Sequence, residues 1–228
     1  AWVGLLGTVE MVRYTWYHVA AVFTGATCKI YINGVETGSG GPSTWGIVGG
    51  SDIIKIGTRN DSANYFFGHI SNARVVIGTA VYTTSFTPST VPLTAIPNTR
   101  LLTAQSNLFV DNSPLNAALT LTSAPKISSA IPFTQPTSVS VNTGTSVFFN
   151  GTTDYLTIAS NAAFQFGTGD FTIEVWIWPN DLSANNTNNF INIGTYLTGI
   201  MMRTTSAGGI QLYFAGTSKV PVQAGLTA

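Results

Sequence analysis

The chain has 228 residues, 44% of them hydrophobic and only 8% charged, with nine Lys plus Arg balancing nine Asp plus Glu, where ordinary soluble domains are roughly a quarter charged. That is enough apolar material for one large core, but Lys29, Lys55, Arg74, Arg100 and the other cations are scattered singly, which excludes the clustered positive surface that nucleic acid requires. No apolar run approaches the roughly 18 to 20 residues of a membrane span, and a neutral Thr, Ser, Asn and Gly surface without net charge suits a chain embedded in an assembly better than a freely diffusing protein.

In chain order, residues 1–13 carry Glu10 and Arg13 in an alternating pattern and do not read as a signal peptide. The start at Ala1 without Met reads as a processed or excised piece of a longer chain. Two strand-like runs follow, Trp16 to Phe23 and Cys28 to Ile32. Tyr17, Val19, Ala21 and Phe23 fall on one face of the first; Cys28, Ile30 and Ile32 fall on one face of the second, with Lys29 and Tyr31 opposite. This predicts antiparallel sheet with one face buried. Cys28 has no second cysteine to pair with, so it reads as a small buried hydrophobe. Asn33-Gly34 is suited to the two positive φ angles of a type I′ turn and predicts that the chain folds back into another strand.

A Gly-rich loop holding Trp45 leads to a short strand within Asp52 to Gly57, and Tyr65 to Ile77 is the next apolar block. Pro88 and Pro92 forbid a central strand over Tyr82 to Leu93 and predict an extended crossing over the surface. Arg100 to Val110 returns to strand. Residues 113–143, with Pro114, Pro125, Pro132 and Pro136 among Ser, Thr and Ala, read as a linker between residues 1–112 and residues 144–228. Beyond it come Ser146 to Phe149, Tyr155 to Ala159, and a run in which Phe171, Ile173, Val175 and Ile177 alternate with Thr172, Glu174, Trp176 and Trp178. Phe190 to Ile193 follows, then a hairpin of Gly199 to Arg203 and Ile210 to Phe214. No stretch has a helical period, so the class is all-β, a sandwich or jelly roll.

The pair of runs Trp16 to Phe23 and Lys29 to Gly34 resembles the central hairpin of laminin-G-like, concanavalin A-like jelly rolls, and Gly68 to Val76 is similar to the strand that follows it there. Gly78-Thr79-Ala80-Val81-Tyr82, Phe86-Thr87-Pro88, Pro92-Leu93-Thr94 and the continuation through Leu101 to Asn107 and Val110 to Asn112 resemble repeats in structural and tail proteins of tailed bacteriophages. Phe149-Asn150-Gly151, Asp154 to Leu156 and Phe166 to Glu174 look like the opening strands of the same domain type. The resemblance implies that residues 1–112 are the C-terminal half and residues 144–228 the N-terminal half of such a jelly roll, in permuted or split register. A single permuted sandwich, an excerpt from a tandem array and halves completed by neighbouring subunits all remain open at this stage.

The resemblance also frames the chemistry. Concanavalin A-like glucanases need two carboxyls about 5 to 9.5 Å apart, and the chain has no such pair: Asp170 and Glu174 share a face but lie about 13 Å apart along an extended strand. The expectation is therefore no enzyme. His18 stands where the family often has His, which implies a structural residue hydrogen-bonded at a strand edge. Relatives bind calcium through acidic loop residues, which implies Asp154, Asp170 and Asp111 as ligand candidates, but Ser71-Asn72 stands where many carry an acidic pair, so no cofactor is expected to be essential and calcium is the candidate ion. Sugar rings stack on exposed aromatics, so Trp176, Trp178 and Trp45, with Glu174 on the shared face, are candidates for a carbohydrate site or a subunit interface. The resulting expectation is a structural module of a virion or extracellular fibre or filament, a homo-oligomer or a partner of other structural proteins, with glycan recognition secondary; the alternative is a carbohydrate-binding lectin module of a cell-surface adhesin.

Overall fold

A computed structural model describes residues 3–6, 9–40, 53–59, 61–133, 145–182, 188–195, 199–205 and 208–214. In chain order its strands are β1 (Val3–Leu6), β2 (Tyr17–Phe23), β3 (Cys28–Ile32), β4 (Val35–Gly40), β5 (Ile54–Ile56), β6 (Phe67–Ile77), β7 (Thr99–Thr103), β8 (Leu119–Thr122), β9 (Lys126–Ser128), β10 (Ser146–Asn150), β11 (Tyr155–Ile158), β12 (Phe171–Pro179), β13 (Asn189–Ile193), β14 (Ile200–Thr204) and β15 (Ile210–Phe214). The helical content among the described residues is a 3-10 turn at Ala162–Phe164. Two antiparallel sheets result, one in the order β1-β15-β14-β13-β5-β11-β8 and the other in the order β4-β3-β2-β12-β6-β10-β9, with β7 also pairing β6.

Each sheet interleaves strands from both ends of the chain. β2 lies between β3 and β12, with Ala20 opposite Glu174, and β5 lies between β13 and β11. Strands from both sides of residues 113–143 thus build one sandwich, and the strand beside Trp16 to Phe23 is supplied by the same chain. The expected linker needs correction. Within its described part, residues 113–133, β8 pairs β11 and β9 pairs β10, so this stretch adds an edge strand to each sheet. Its prolines did not prevent strand formation because they flank β8 and β9 instead of interrupting them.

Between the sheets lies a core to which Tyr17, Val19, Ala21, Phe23, Cys28, Ile30 and Ile32 contribute from β2 and β3, and Phe171, Ile173, Val175 and Ile177 from β12. These are the faces that alternation assigns inward. Each fully buried large side chain contributes about 2 kcal/mol of apolar transfer free energy. The expectation of a solvated opposite face fails at β2 and β3. Every residue of β2 is buried, and Ala20, Val22 and Tyr31 form a second apolar cluster beneath Ala80, Tyr82 and Phe86.

The cover is residues 78–98, a strap without regular strand that crosses the outer face of the eight-stranded sheet. Gly78 N–H donates to the Asp170 carbonyl at 2.7 Å, Val81 N–H to Thr172 Oγ1 at 2.9 Å and Leu93 N–H to Asn72 Oδ1 at 2.7 Å. Phe86 N–H donates to the Gly34 carbonyl at 2.9 Å. Asn33 and Gly34 have φ of 50° and 79°, the left-handed pair that the Asn-Gly turn requires. A side chain at Gly34 would place its Cβ 1.8 Å from the Phe86 carbonyl oxygen, so this glycine serves both the turn and the seating of the strap.

Candidate functional site

Glu174 is the centre of the most densely bonded polar group on the outer face. Its side chain is completely buried in the middle of β12. Arg74, directly opposite on the adjacent strand β6, donates from Nε at 2.8 Å and from Nη2 at 2.5 Å to Oε1. His18 Nε2 lies 3.0 Å from Oε2, and the Tyr82 hydroxyl donates to the same oxygen at 2.8 Å. Arg74 Nη1 continues the network to the Thr94 carbonyl at 2.8 Å. Two sheet strands and both arms of the strap are thereby tied to one carboxylate.

Burial is the largest single influence on the Glu174 carboxyl and pushes its pKa up, but the hydrogen bond and charge of His18 together with Arg74 outweigh it and hold the group below the usual carboxylate range. Burial, then the adjacent Glu174 charge, pushes the Tyr82 phenol up, so it remains a donor. With Oε1 and Oε2 each taking two donors, Glu174 has little capacity left for a proton transfer to a substrate, and among the described residues no second carboxylate joins it. The arrangement clamps the strap to the sheet.

Glu174 therefore departs from the exposed face on which alternation places it with Trp176 and Trp178. Trp176 sits at the strap's margin, half-buried, edge-on to His18 at 5.2 Å and to Phe133 at 5.7 Å between ring centres. Its indole Nε1 is buried without a hydrogen-bond partner. A cavity of about 280 Å³ opens beside it, lined by Asn33, Pro88, Ser89, Thr90, Pro132, Phe133 and Trp176. None of these carries a charge.

Trp178 lies beyond the strap. It is opposite His69 on β6 and edge-on to Trp16 at 5.7 Å. His69 is in turn 5.1 Å from Phe148, which packs edge-on to Phe67 at 6.0 Å. These half-buried rings form a row across the sheet. Partial burial lowers the His69 pKa, and its Nδ1 is 3.3 Å from Ser146 Oγ. His18, expected at a strand edge, is instead on a central strand. Trp45 lies outside the described residues.

The candidate calcium ligands are dispersed. Asp111 is buried and satisfies four donors: Leu102 N–H and Ser113 N–H on Oδ1, Ser113 Oγ and Ala117 N–H on Oδ2, all at 2.8 or 2.9 Å. Asp154 is buried and accepts Ala124 N–H at 3.1 Å, fastening the segment after β8. Asp170 borders Gly25. Among the described residues, no three His, Cys, Asp or Glu side chains converge as a metal site. The Asp111 and Asp154 carboxylates organise loops by accepting backbone donors.

Arg74, Tyr82 and His18 are the partners that strand alternation alone did not assign to Glu174. The available signal was an acidic residue inside an apolar strand, a lone Arg in Asn-Ala-Arg-Val-Val, and a Tyr in the proline-bounded crossing. No helix among the described residues is long and apolar enough to cross a membrane.

Residues 2–88 match a laminin-G family model described as the concanavalin A-like lectin/glucanases superfamily. The matched span includes His18, Arg74 and Tyr82 and ends inside the strap, before the strand that carries Glu174. No curated protein and no solved structure matches the chain. A superfamily of this description is compatible with carbohydrate-binding or structural roles. The match over residues 2–88 and the two antiparallel sheets together give the fold as a laminin-G-like, concanavalin A-like β-sandwich jelly roll.

Proposed function

We propose that this chain is a non-enzymatic structural module of a virion or extracellular fibre or filament, working through contacts with other copies or with neighbouring structural proteins. The observation that carries this reading is the saturated Glu174 carboxylate: the acidic group central to the outer face is committed to Arg74, His18 and Tyr82, while Trp16, Trp178, His69 and Phe148 form a half-buried aromatic row on the same face. The low charge content and the resemblance of residues 78–112 to phage structural repeats support the assembly setting. The test is incubation with β-glucans alongside sedimentation of the purified protein. The expected result is concentration-dependent self-association without release of reducing ends; glucan turnover that disappears in Glu174→Gln would sink the reading.

One observation favours a second role, recognition of a neutral glycan as in a lectin module of an adhesin. The uncharged cavity beside Trp176 offers an aromatic wall and the Asn33, Ser89 and Thr90 polar groups, and its volume of about 280 Å³ suits a single small ring. Binding on a glycan array that is lost in Trp176→Ala supports this role, and an array without signal removes it.

A further inference from the structure

We infer that β8 is a docking edge for a second copy of this chain, which adds its own β8 in antiparallel pairing and carries the seven-stranded sheet across a two-fold contact. The inference rests on the reading of the chain as an assembly module and specifies one interface for it. β8 ends its sheet, hydrogen-bonded on one side to β11, and among the described residues no strand lies on its other side. Leu119 faces Ile158 and Leu121 faces Leu156 in this pairing, so both leucines point to the core side of the sheet. Leu119 packs against the core. Leu121 remains 41% exposed although Leu156 opposite it is fully buried. The sandwich thus leaves a core-side leucine uncovered at this corner.

The two sheets treat their edges differently. In the eight-stranded sheet, β4 carries Glu36, paired to Lys29 at 2.9 Å, and its pairing with β3 is interrupted by a register shift; β9 at the opposite edge carries Lys126. Charge, irregularity and proline are the usual protections of an edge against another strand. β8 has none of them: its four pairs with β11 run in continuous register, and no charged residue occurs from Asn112 to Pro125. A row of free N–H and C=O groups accepts an extended chain, and a molecule of zero net charge does not repel its own copy.

Leu121 sets the register. Core-side residues must meet core-side residues across the two-fold, and the pairing that covers the exposed leucine puts Leu121 opposite Leu121 of the second copy and Thr120 opposite Thr122. A four-residue edge gives a small interface, so association is weak and depends on concentration.

Sedimentation velocity across the micromolar range, with disulfide trapping, tests this. The wild-type chain is expected to shift reversibly from monomer to dimer. Leu121→Lys, at an exposed position, is expected to weaken the dimer about tenfold, whereas Val91→Lys on the exposed strap leaves it unchanged. Leu121→Cys is expected to form a disulfide-linked dimer under mild oxidation, with buried Cys28 not competing. A wild-type monomer at every concentration, an untrapped Leu121→Cys, or open-ended filaments in place of a dimer would each overturn the two-fold. Self-association that survives Leu121→Lys overturns this interface and leaves the assembly reading standing; glucan turnover dependent on Glu174 strikes the assembly reading itself.

Discussion

The outer face of the eight-stranded sheet has a covered region and an open one, joined along β12. Around Ala20, Val22, Tyr31 and Glu174 the strap seals the sheet, with Tyr82 and Phe86 stacked 3.6 Å apart between ring centres above it. Two residues beyond Trp176 on the same strand face, Trp178 belongs to a row of half-buried rings that includes Trp16, His69 and Phe148. Strand alternation determines which side a residue faces. Whether that side meets solvent is decided by a segment about a hundred residues distant in the chain, which is why Glu174 and Trp178 share a face and differ in everything else.

The sharpest way to break the covered region is Glu174→Gln. It leaves the Arg74 guanidinium buried without its counter-charge, and a loss of about 3–5 kcal/mol is expected in urea unfolding at an unchanged denaturant slope. Acid probes the same group. Its folded pKa is depressed, so the stability it contributes is fully present above the unfolded carboxyl value near 4.5 and is lost as pH falls through the lower folded value. Thermal melts from neutral to acid pH should therefore show a steeper decline for wild type than for Glu174→Gln, and parallel curves would count against the clamp.

Tyr82→Phe keeps the stacked ring but removes one donor to Glu174, with an expected cost of about 1.5 kcal/mol and faster amide exchange in residues 78–98 than in the strands beneath. The smallest effect belongs to the open region. Trp178→Thr, with a β-compatible residue opposite His69, should cost about 0.5–1 kcal/mol in the same denaturation assay. A loss as large as that of Glu174→Gln would mean that the row is sealed as firmly as the strapped half.

The core was legible in the sequence because its signal is local. Tyr17-Val19-Ala21-Phe23 and Phe171-Ile173-Val175-Ile177 announce their inward faces by alternation alone, and Asn33-Gly34 announces its turn by the φ angles it tolerates. The Glu174 clamp was not legible, since it depends on which strands become neighbours: Arg74 reaches Glu174 only because β6 pairs β12, and Tyr82 only because the strap crosses there. β8 and β9 were missed for a different reason. Four- and three-residue strands at a sheet edge need little more than extended backbone and a partner, and the prolines around them dominate the composition. The same alternation that located the core placed Glu174 outside it correctly, then failed on exposure because alternation carries no information about a covering segment.

The pairing of strands far apart in the chain has a consequence for how this molecule is made. His18 and Glu174 are 156 residues apart in the chain, yet they belong to adjacent hydrogen-bonded strands. At a synthesis rate of roughly 5–20 residues per second, β2 leaves the ribosome on the order of ten to thirty seconds before β12 exists. During that interval β2 and β3 have Val19, Ala21 and Ile30 on one side, Ala20, Val22 and Tyr31 on the other, and no β12 to hold them in the sheet. The central ladder of the sandwich can close only after β12 has emerged, which makes folding slow by topology and leaves the β2–β3 hairpin dependent on a strand made long after it.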